Sequence, residues 1–104
     1  MELIRTAAFT KAVSKLKMTQ AELAALEAEI LINPQSGDVI PGLKGIRKIR
    51  FAYGGKGKRG GGRCIYLAIT VEETIYFLLA YGKSKQTDLS QKQRDGLLEF
   101  IEDL

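Results

Sequence analysis

The sequence of 104 residues contains no histidine and only one cysteine, Cys64. Without histidine the chain cannot build a Ser-His-Asp triad, cannot use imidazole as a general acid or base, and lacks a common zinc ligand. A single cysteine cannot form an internal disulfide, and a catalytic thiol would need a nearby base. Because Cys64 lies in the apolar run 64–69, we expect it to fill the core as a small hydrophobic residue.

Long hydrophobic segments are also missing. No apolar run approaches the roughly 18 to 20 residues needed to cross a bilayer, and residues 1–5 lack the regions of a signal peptide. We therefore expect a cytoplasmic protein. The length and the 45% hydrophobic content predict a single domain over residues 1–104, with a core that closes without a metal or a disulfide.

Acidic residues are absent between Asp38 and Glu72, although this segment is rich in cations. Its eight basic residues are Lys44, Arg47, Lys48, Arg50, Lys56, Lys58, Arg59 and Arg63. The other eight basic residues share the remaining chain with all twelve acidic residues. Such segregation creates a local positive field, which is typical of a protein that binds a phosphate backbone, and RNA is the favoured ligand.

The hydrophobic spacing predicts an α+β fold of two N-terminal helices, an antiparallel sheet of three or four strands and a C-terminal helix. Thr19-Gln20-Ala21-Glu22 and Ser90-Gln91-Lys92-Gln93 are capping boxes that start the second and third helices. The last helix either packs on the sheet or is the mobile end of the chain. The expected elements are a short strand within 2–9, helices 9–17, 19–32 and from 90, a loop 34–45, and strands 46–53, 63–70 and 74–81.

A glycine-rich loop, residues 54–62, joins two of the predicted strands with six glycines and three cations. Glycine lets a backbone approach a phosphate closely, and the cations would attract it. The order of residues is not that of a Walker loop, and the segment leads into a strand instead of a helix. The alternative is a flexible, solvated hairpin turn.

Cations also occupy strand positions. Lys48 and Arg50 are two residues apart and therefore share a face, and Arg63 begins the next strand. All three can point at one phosphate if the strand register allows it. Lys48 alone could equally be a solvated edge residue. Lys83 lies just beyond the last strand, and binding and catalytic residues are often found in loops that a rigid scaffold positions.

Several segments together resemble the HigB-like branch of the RelE/ParE toxin superfamily. The similarity runs through Gly45-Ile46-Arg47-Lys48-Ile49-Arg50-Phe51-Ala52, Gly57-Lys58-Arg59-Gly60-Gly61, Arg63-Cys64-Ile65-Tyr66, Tyr81-Gly82-Lys83 and Asp88-Leu89-Ser90. It implies a RelE-like fold and the toxin of a type II toxin-antitoxin pair, inhibited by an antitoxin that we expect to be a helix-turn-helix protein. The implied activity is cleavage of messenger RNA in the ribosomal A site, with no metal and no cofactor.

The resemblance also implies roles for individual residues. Arg63 matches the arginine that contacts the scissile phosphate, Lys48 and Arg50 match a basic pair on the preceding strand, and Lys83 lies in a basic stretch after the last strand. These four are the predicted catalytic residues. The predicted RNA-binding residues are Lys56, Lys58, Arg59, Arg47 and Lys85.

The sequence departs from the RelE-type pattern at Ser84, where a second arginine is common, and at Ser90, where a catalytic tyrosine is common. Tyr66 and Tyr81 are possible substitutes, although Tyr66 is better explained as a core residue. The alternatives are a ParE-like gyrase poison, or a non-catalytic RNA- or DNA-binding module in which Phe51 and Tyr53 stack on bases. A purely structural subunit would not explain eight uncompensated cations.

Overall fold

A computed structural model describes residues 1–104 as three helices and one five-stranded sheet with the strand order β1-β5-β4-β3-β2. The elements in chain order are β1 (Glu2–Arg5), α1 (Ala7–Leu16), α2 (Gln20–Ile32), β2 (Asp38–Val39), β3 (Arg47–Phe51), β4 (Gly62–Ile69), a short 3-10 turn (Thr70–Glu72), β5 (Thr74–Gly82) and α3 (Gln91–Glu102). This arrangement confirms the predicted α+β class.

The ends of α2 and α3 are set by local hydrogen bonds that the sequence predicts. Thr19 accepts a hydrogen bond from the backbone N–H of Glu22, whose carboxylate accepts one from the N–H of Thr19. Ser90 and Gln93 form the same reciprocal pair at the start of α3. Both capping boxes are therefore confirmed, because each satisfies N–H groups that have no partner within the helix.

The sheet differs from the prediction in two details. β3, β4 and β5 pair in antiparallel fashion as expected, but β1 pairs with β5 in parallel. A long connection lets β1 and β5 run in the same direction, whereas a tight hairpin forces strands to be antiparallel. The fifth strand, β2, has only two residues and pairs with Arg47 and Lys48. Two residues are too few to show a strand periodicity, so the sequence predicts only a loop at this position.

Each face of the sheet carries its own apolar core. Helices α1 and α2 cover one face, where Phe9, Leu26 and Ile30 pack with Tyr66 and Phe77. Helix α3 covers the other face and contributes Leu97 to a second cluster, which includes Ile65, Leu67, Leu78 and Tyr81. The C-terminal helix therefore packs on the sheet. None of the helices has the length and apolar character needed to cross a membrane.

Cys64 lies fully buried in the first core, as predicted. Burial raises the pKa of its thiol, and the negative charge of Glu27 raises this pKa further. Glu27 is itself buried and binds Arg5 through two hydrogen bonds of 2.6 and 2.8 Å. The Cys64 thiol is thus held in its protonated form, and the Arg5–Glu27 pair ties β1 to α2.

Candidate functional site

Strands β3 and β4 bring three cations to the sheet face on which α3 packs. Arg50 lies directly opposite Arg63 in the antiparallel ladder, and Lys48 lies opposite Ile65. Residues opposite each other in a ladder project to the same face, so all three cations share the face of Ile65. Arg50 is exposed, Lys48 is half-buried and Arg63 is only 8% exposed. The register thus assembles the predicted basic cluster at one edge of the apolar core beneath α3.

The guanidinium of Arg63 is held by the glycine-rich loop. One of its terminal nitrogens, Nη1, donates to the carbonyls of Gly62 at 2.9 Å and Lys58 at 3.3 Å. The other, Nη2, donates to the carbonyl of Arg59 at 3.3 Å. A guanidinium has five N–H donors, so Nε–H and one Nη2–H have no protein partner. Since no carboxylate lies within 4.0 Å of this side chain, its charge is not neutralised by an ion pair.

Asp88, which sequence reasoning did not include in the site, lies beside Lys48. Its Oδ1 is 3.9 Å from the Lys48 Nζ, and the carboxylate side chain is 68% exposed. The same oxygen accepts a hydrogen bond of 2.8 Å from the backbone N–H of Leu89, just before α3. In the sequence Asp88 fits the segment that leads into this helix, so only the fold reveals its proximity to β3.

Tyr81 lies opposite Arg63 on β5, at the inner end of the basic cluster. Its hydroxyl group is buried and has no hydrogen-bond partner. Burial raises the pKa of this phenol, the carboxylate of Asp88 raises it further, and Arg63 opposes the shift. The phenol of Tyr81 therefore stays protonated in this position, which disfavours it as a general base.

We expect the Tyr81→Phe variant to be more stable than the wild type by about 1 kcal/mol, because the substitution removes a buried hydroxyl that lacks a partner. Thermal unfolding measures the difference. As a control, Tyr66→Phe should lose stability, since the Tyr66 hydroxyl donates to the Pro34 carbonyl and accepts from the Gly37 N–H. A clear loss of stability in Tyr81→Phe would contradict the unpaired hydroxyl.

The three cations of the glycine-rich loop have different surroundings. Lys58 forms an ion pair with Glu29 of α2, with 2.7 Å between Nζ and Oε1. Lys56 places its ammonium group 5.5 Å from the centre of the Tyr53 ring. Arg59 is exposed, and its side chain has no hydrogen-bond or ion-pair partner in the protein. Glu29 lies 29 residues before Lys58, so no local pattern in the sequence predicts this pair.

Arg47 lies on the opposite sheet face from the basic cluster, because it pairs with Tyr66 of the first core. Its Nη1 donates to the carbonyls of Gly37 at 2.8 Å and Gln35 at 3.3 Å. The structure therefore separates Arg47 from Lys48 and Arg50, although the three are close in the sequence. The predicted role of Arg47 in RNA binding stays a prediction.

Lys83 and Lys85 are exposed in the turn that follows β5. The backbone N–H of Lys83 donates to the carbonyl of Gly61 at 3.0 Å, and that of Lys85 donates to Gly82 at 3.0 Å. The turn after β5 is thus joined to the glycine-rich loop. Two segments that are more than 20 residues apart in the sequence, both with exposed cations, thus adjoin each other and form a basic rim.

Comparison with known proteins agrees with this architecture. The family model described as the RelE toxin of the RelE/RelB toxin-antitoxin system matches residues 1–103. The chain belongs to the RelE toxin family. An Escherichia coli RelE variant, solved in the free state with two arginines replaced by alanine, has a TM-score of 0.61 and 14% identity, with 96% of each chain covered.

A second structure, the isolated E. coli RelE toxin, has a TM-score of 0.55 and 13% identity to this RelE-family chain. The match covers 95% of this chain and 97% of the E. coli toxin. At these identities the similarity shows a shared fold. Membership of the RelE family confirms the resemblance to the superfamily, while the HigB-like branch stays a prediction.

Ser84 and Ser90, the two positions where this RelE-family protein departs from the RelE-type pattern, have different surroundings. Ser84 is exposed in the turn after β5. The Ser90 hydroxyl accepts a hydrogen bond of 3.1 Å from the N–H of Gln93 and therefore serves the capping box of α3. The Ser90 hydroxyl is thus accounted for by its structural role at the start of α3.

The aromatic residues predicted to stack on bases are buried in this RelE-family chain. Phe51 and Tyr53 belong to the first core and are 3% and 9% exposed. Tyr66 is fully buried, and its hydroxyl is occupied by two backbone partners. The structure thus removes the feature that would favour a base-stacking module, and it confirms Tyr66 as a core residue.

Proposed function

We propose that this RelE-family toxin is a metal-independent endoribonuclease that cleaves messenger RNA in the ribosomal A site and so inhibits translation. Its proposed partners are the messenger RNA, the ribosome and a cognate antitoxin, for which a small helix-turn-helix protein is the expected type. The family assignment supports the toxin role, and the basic cluster on β3 and β4 supports action on a phosphate backbone.

The observation that carries the proposal is the direct cross-strand pairing of Arg50 with Arg63. Like charges that lie opposite each other in a sheet are destabilising, and neither arginine has a carboxylate partner. A fold that accepts this cost without neutralising it is suited to an anionic ligand. A phosphate bound between the two guanidinium groups would relieve the repulsion and gain charge-assisted hydrogen bonds.

The proposed chemistry is attack of a ribose 2′-hydroxyl on the adjacent phosphate. The hydroxyl gives up its proton as the new oxygen–phosphorus bond forms, and the bond from phosphorus to the 5′-oxygen of the next nucleotide breaks as that oxygen takes up a proton, which leaves a 2′,3′-cyclic phosphate and a 5′-hydroxyl. The pentacoordinate phosphorane that forms carries extra negative charge, and fixed cations stabilise such charge better than mobile water does. Arg63 has an unoccupied pair of donors at Nε and Nη2 for this purpose, and Arg50 provides a second guanidinium. Lys48 and Lys83 are the proposed proton-transfer groups, since the chain has no histidine.

The proposed grip on RNA outside the reacting phosphate comes from exposed cations on the rim. Lys56, Arg59 and Lys85 have no carboxylate partner and line the glycine-rich loop and the adjoining turn. Phosphate contacts of this kind set affinity and position without reading the base sequence. Arg47 and Lys58 contribute less to this grip because their side chains already have protein partners.

Induction of the gene in a bacterial host should stop growth, and incorporation of labelled amino acids should collapse before incorporation of labelled thymidine. Translation arrest precedes other effects if messenger RNA is the target. An uninduced culture and an induced Arg50→Ala variant are the controls, and a neighbouring helix-turn-helix gene should restore growth. A first collapse of DNA synthesis would point to gyrase, and normal growth would contradict the toxin role.

A further inference from the structure

The glycine-rich loop is fastened to α2 at two points. At its start, the backbone N–H of Gly54 donates to Oε2 of Glu22 at 2.7 Å. Further along, Nζ of Lys58 lies 2.7 Å from Oε1 of Glu29, two helical turns beyond Glu22. Gly54 and Gly55 have φ values of 60° and 78°, which glycine adopts easily. This conformation lets the chain turn after β3 and run next to α2. The loop therefore lies against a helix instead of extending into solvent.

The first of these attachments is itself held firmly. The other oxygen of Glu22, Oε1, accepts a hydrogen bond of 2.8 Å from the N–H of Thr19 in the capping box. These two backbone bonds, the one from Thr19 first, lower the pKa of Glu22, so the carboxylate is ionised at neutral pH. The anchor for Gly54 thus belongs to the rigid first turn of α2.

Lys58 connects the second attachment to Arg63. Its ammonium group binds Glu29, while its backbone carbonyl accepts a hydrogen bond from Nη1 of Arg63. The carbonyl of the next residue, Arg59, accepts from Nη2 of the same guanidinium. Two of the three groups that orient Arg63 therefore come from the loop segment that Glu29 pins in place.

The ion pair is placed where it affects geometry more than stability. The side chain of Lys58 is 62% exposed and that of Glu29 is 33% exposed. An exposed pair of this kind contributes little to the free energy of unfolding, because solvent screens the attraction and both side chains lose freedom. A loop with six glycines, in contrast, has many conformations available unless something selects one.

We infer that Glu29 is a positioning residue of the proposed ribonuclease site, which acts through Lys58 to fix the loop carbonyls that orient the guanidinium of Arg63. This inference rests on the proposed function. It also assigns Lys58 a role within the protein, in place of the direct RNA contact that the sequence predicts. A misplacement of a catalytic group by about 1 Å can reduce a rate by about 100-fold. Loss of the Glu29–Lys58 pair can therefore lower the cleavage rate without direct contact between Glu29 and RNA.

The test compares single-turnover and steady-state cleavage of messenger RNA on ribosomes by wild type, Glu29→Gln and Lys58→Gln. We expect kcat to fall by about tenfold in both variants while KM changes by less than about twofold, since orientation and not binding is lost. The double variant with Glu29→Lys and Lys58→Glu should recover most of kcat, because the ion pair is re-formed in reverse. Glu99→Gln, the same change at an exposed site on α3, should behave as wild type.

Hydrogen exchange supplies a readout that does not depend on activity. Backbone amides in the glycine-rich loop should exchange at least about tenfold faster in Glu29→Gln than in wild type, whereas amides of α1 should not change. Wild-type kcat in Glu29→Gln, a raised kcat in that variant, unchanged loop exchange, or a raised KM with normal kcat in Lys58→Gln would each overturn the inference. Failure of the wild-type protein to cleave messenger RNA would instead reject the proposed function, and loop exchange would still test the contact.

Discussion

Arg63→Ala should reduce cleavage of messenger RNA by about 100- to 1,000-fold in a translation system that contains ribosomes, which is the usual effect of losing one preorganised donor to a developing charge. The guanidinium is the most enclosed cation of the basic cluster, and Nε and one hydrogen of Nη2 have no acceptor in the protein. Because its other donors are fixed by three carbonyls, the side chain would need little reorganisation in the proposed reaction. Arg63→Lys should recover only a small part of the rate, since lysine keeps the charge but not the fork.

Arg47→Ala is the matched control for Arg63→Ala. Both arginines donate to backbone carbonyls, and they lie on neighbouring strands, but they point to opposite faces of the sheet. Arg47→Ala should therefore retain activity within about fivefold of the wild type, with thermal unfolding and circular dichroism to show that both variants fold. Normal cleavage by Arg63→Ala, or an equal loss in Arg47→Ala, would show that the assignment of the face is wrong.

Local signals account for the parts of the fold that the sequence predicts well. The hydrogen bonds of both capping boxes join residues three apart, and the proline at position 34 limits α2 through its immediate neighbour. Strand β3 reveals its two faces through alternation alone, with Ile49 buried and Arg50 exposed. In each case the residues that determine the structure are neighbours in the chain, so their pattern can be recognised without a fold.

Contacts between distant segments account for what the sequence does not predict. The segment without acidic residues between Asp38 and Glu72 meets acidic side chains in space, since Lys58 pairs with Glu29 and Lys48 lies near Asp88. Nothing in the local composition indicates these partners. The folded surface is thus less one-sided in charge than the sequence, and the cations without carboxylate partners, Arg50 and Arg63 among them, stand out from the rest.

The face of each cation is likewise a property of the sheet register. Alternation on β3 predicts that Lys48 and Arg50 share a face, but the position of Arg63 relative to them depends on which residues pair across the loop. If the register shifted by one residue, the side chain of Arg63 would point to the other face of the sheet, into the first core. The register is fixed by packing on both faces of β4, and its buried residues at 64, 65 and 66 cannot exchange faces without loss of both cores.

Gly62→Ala should destabilise the protein by about 3 kcal/mol and lower the melting temperature by about 10 to 20 °C. A methyl group at Gly62 would lie 2.7 and 2.8 Å from Cε1 and Cε2 of the Phe51 ring, which is far inside van der Waals contact. The ring cannot withdraw easily, because it is 3% exposed and packs against Tyr53 with 5.7 Å between ring centres. Overpacking of this kind forces either an unfavourable rotamer or a shift of the backbone.

Gly60→Ala is the control for Gly62→Ala, since a methyl group at Gly60 meets no atom within 4 Å. This change should leave stability equal to the wild type or higher by up to about 1 kcal/mol, because alanine restricts the unfolded chain more than glycine does. Equal melting temperatures for the two variants would contradict the close approach of β4 to Phe51. The carbonyl of Gly62 also accepts a hydrogen bond from Arg63, so a backbone shift at this position should reduce cleavage along with stability, whereas Gly60→Ala should keep both. The same glycine thus leaves room for the Phe51 ring over β4 and supplies a carbonyl that holds Arg63.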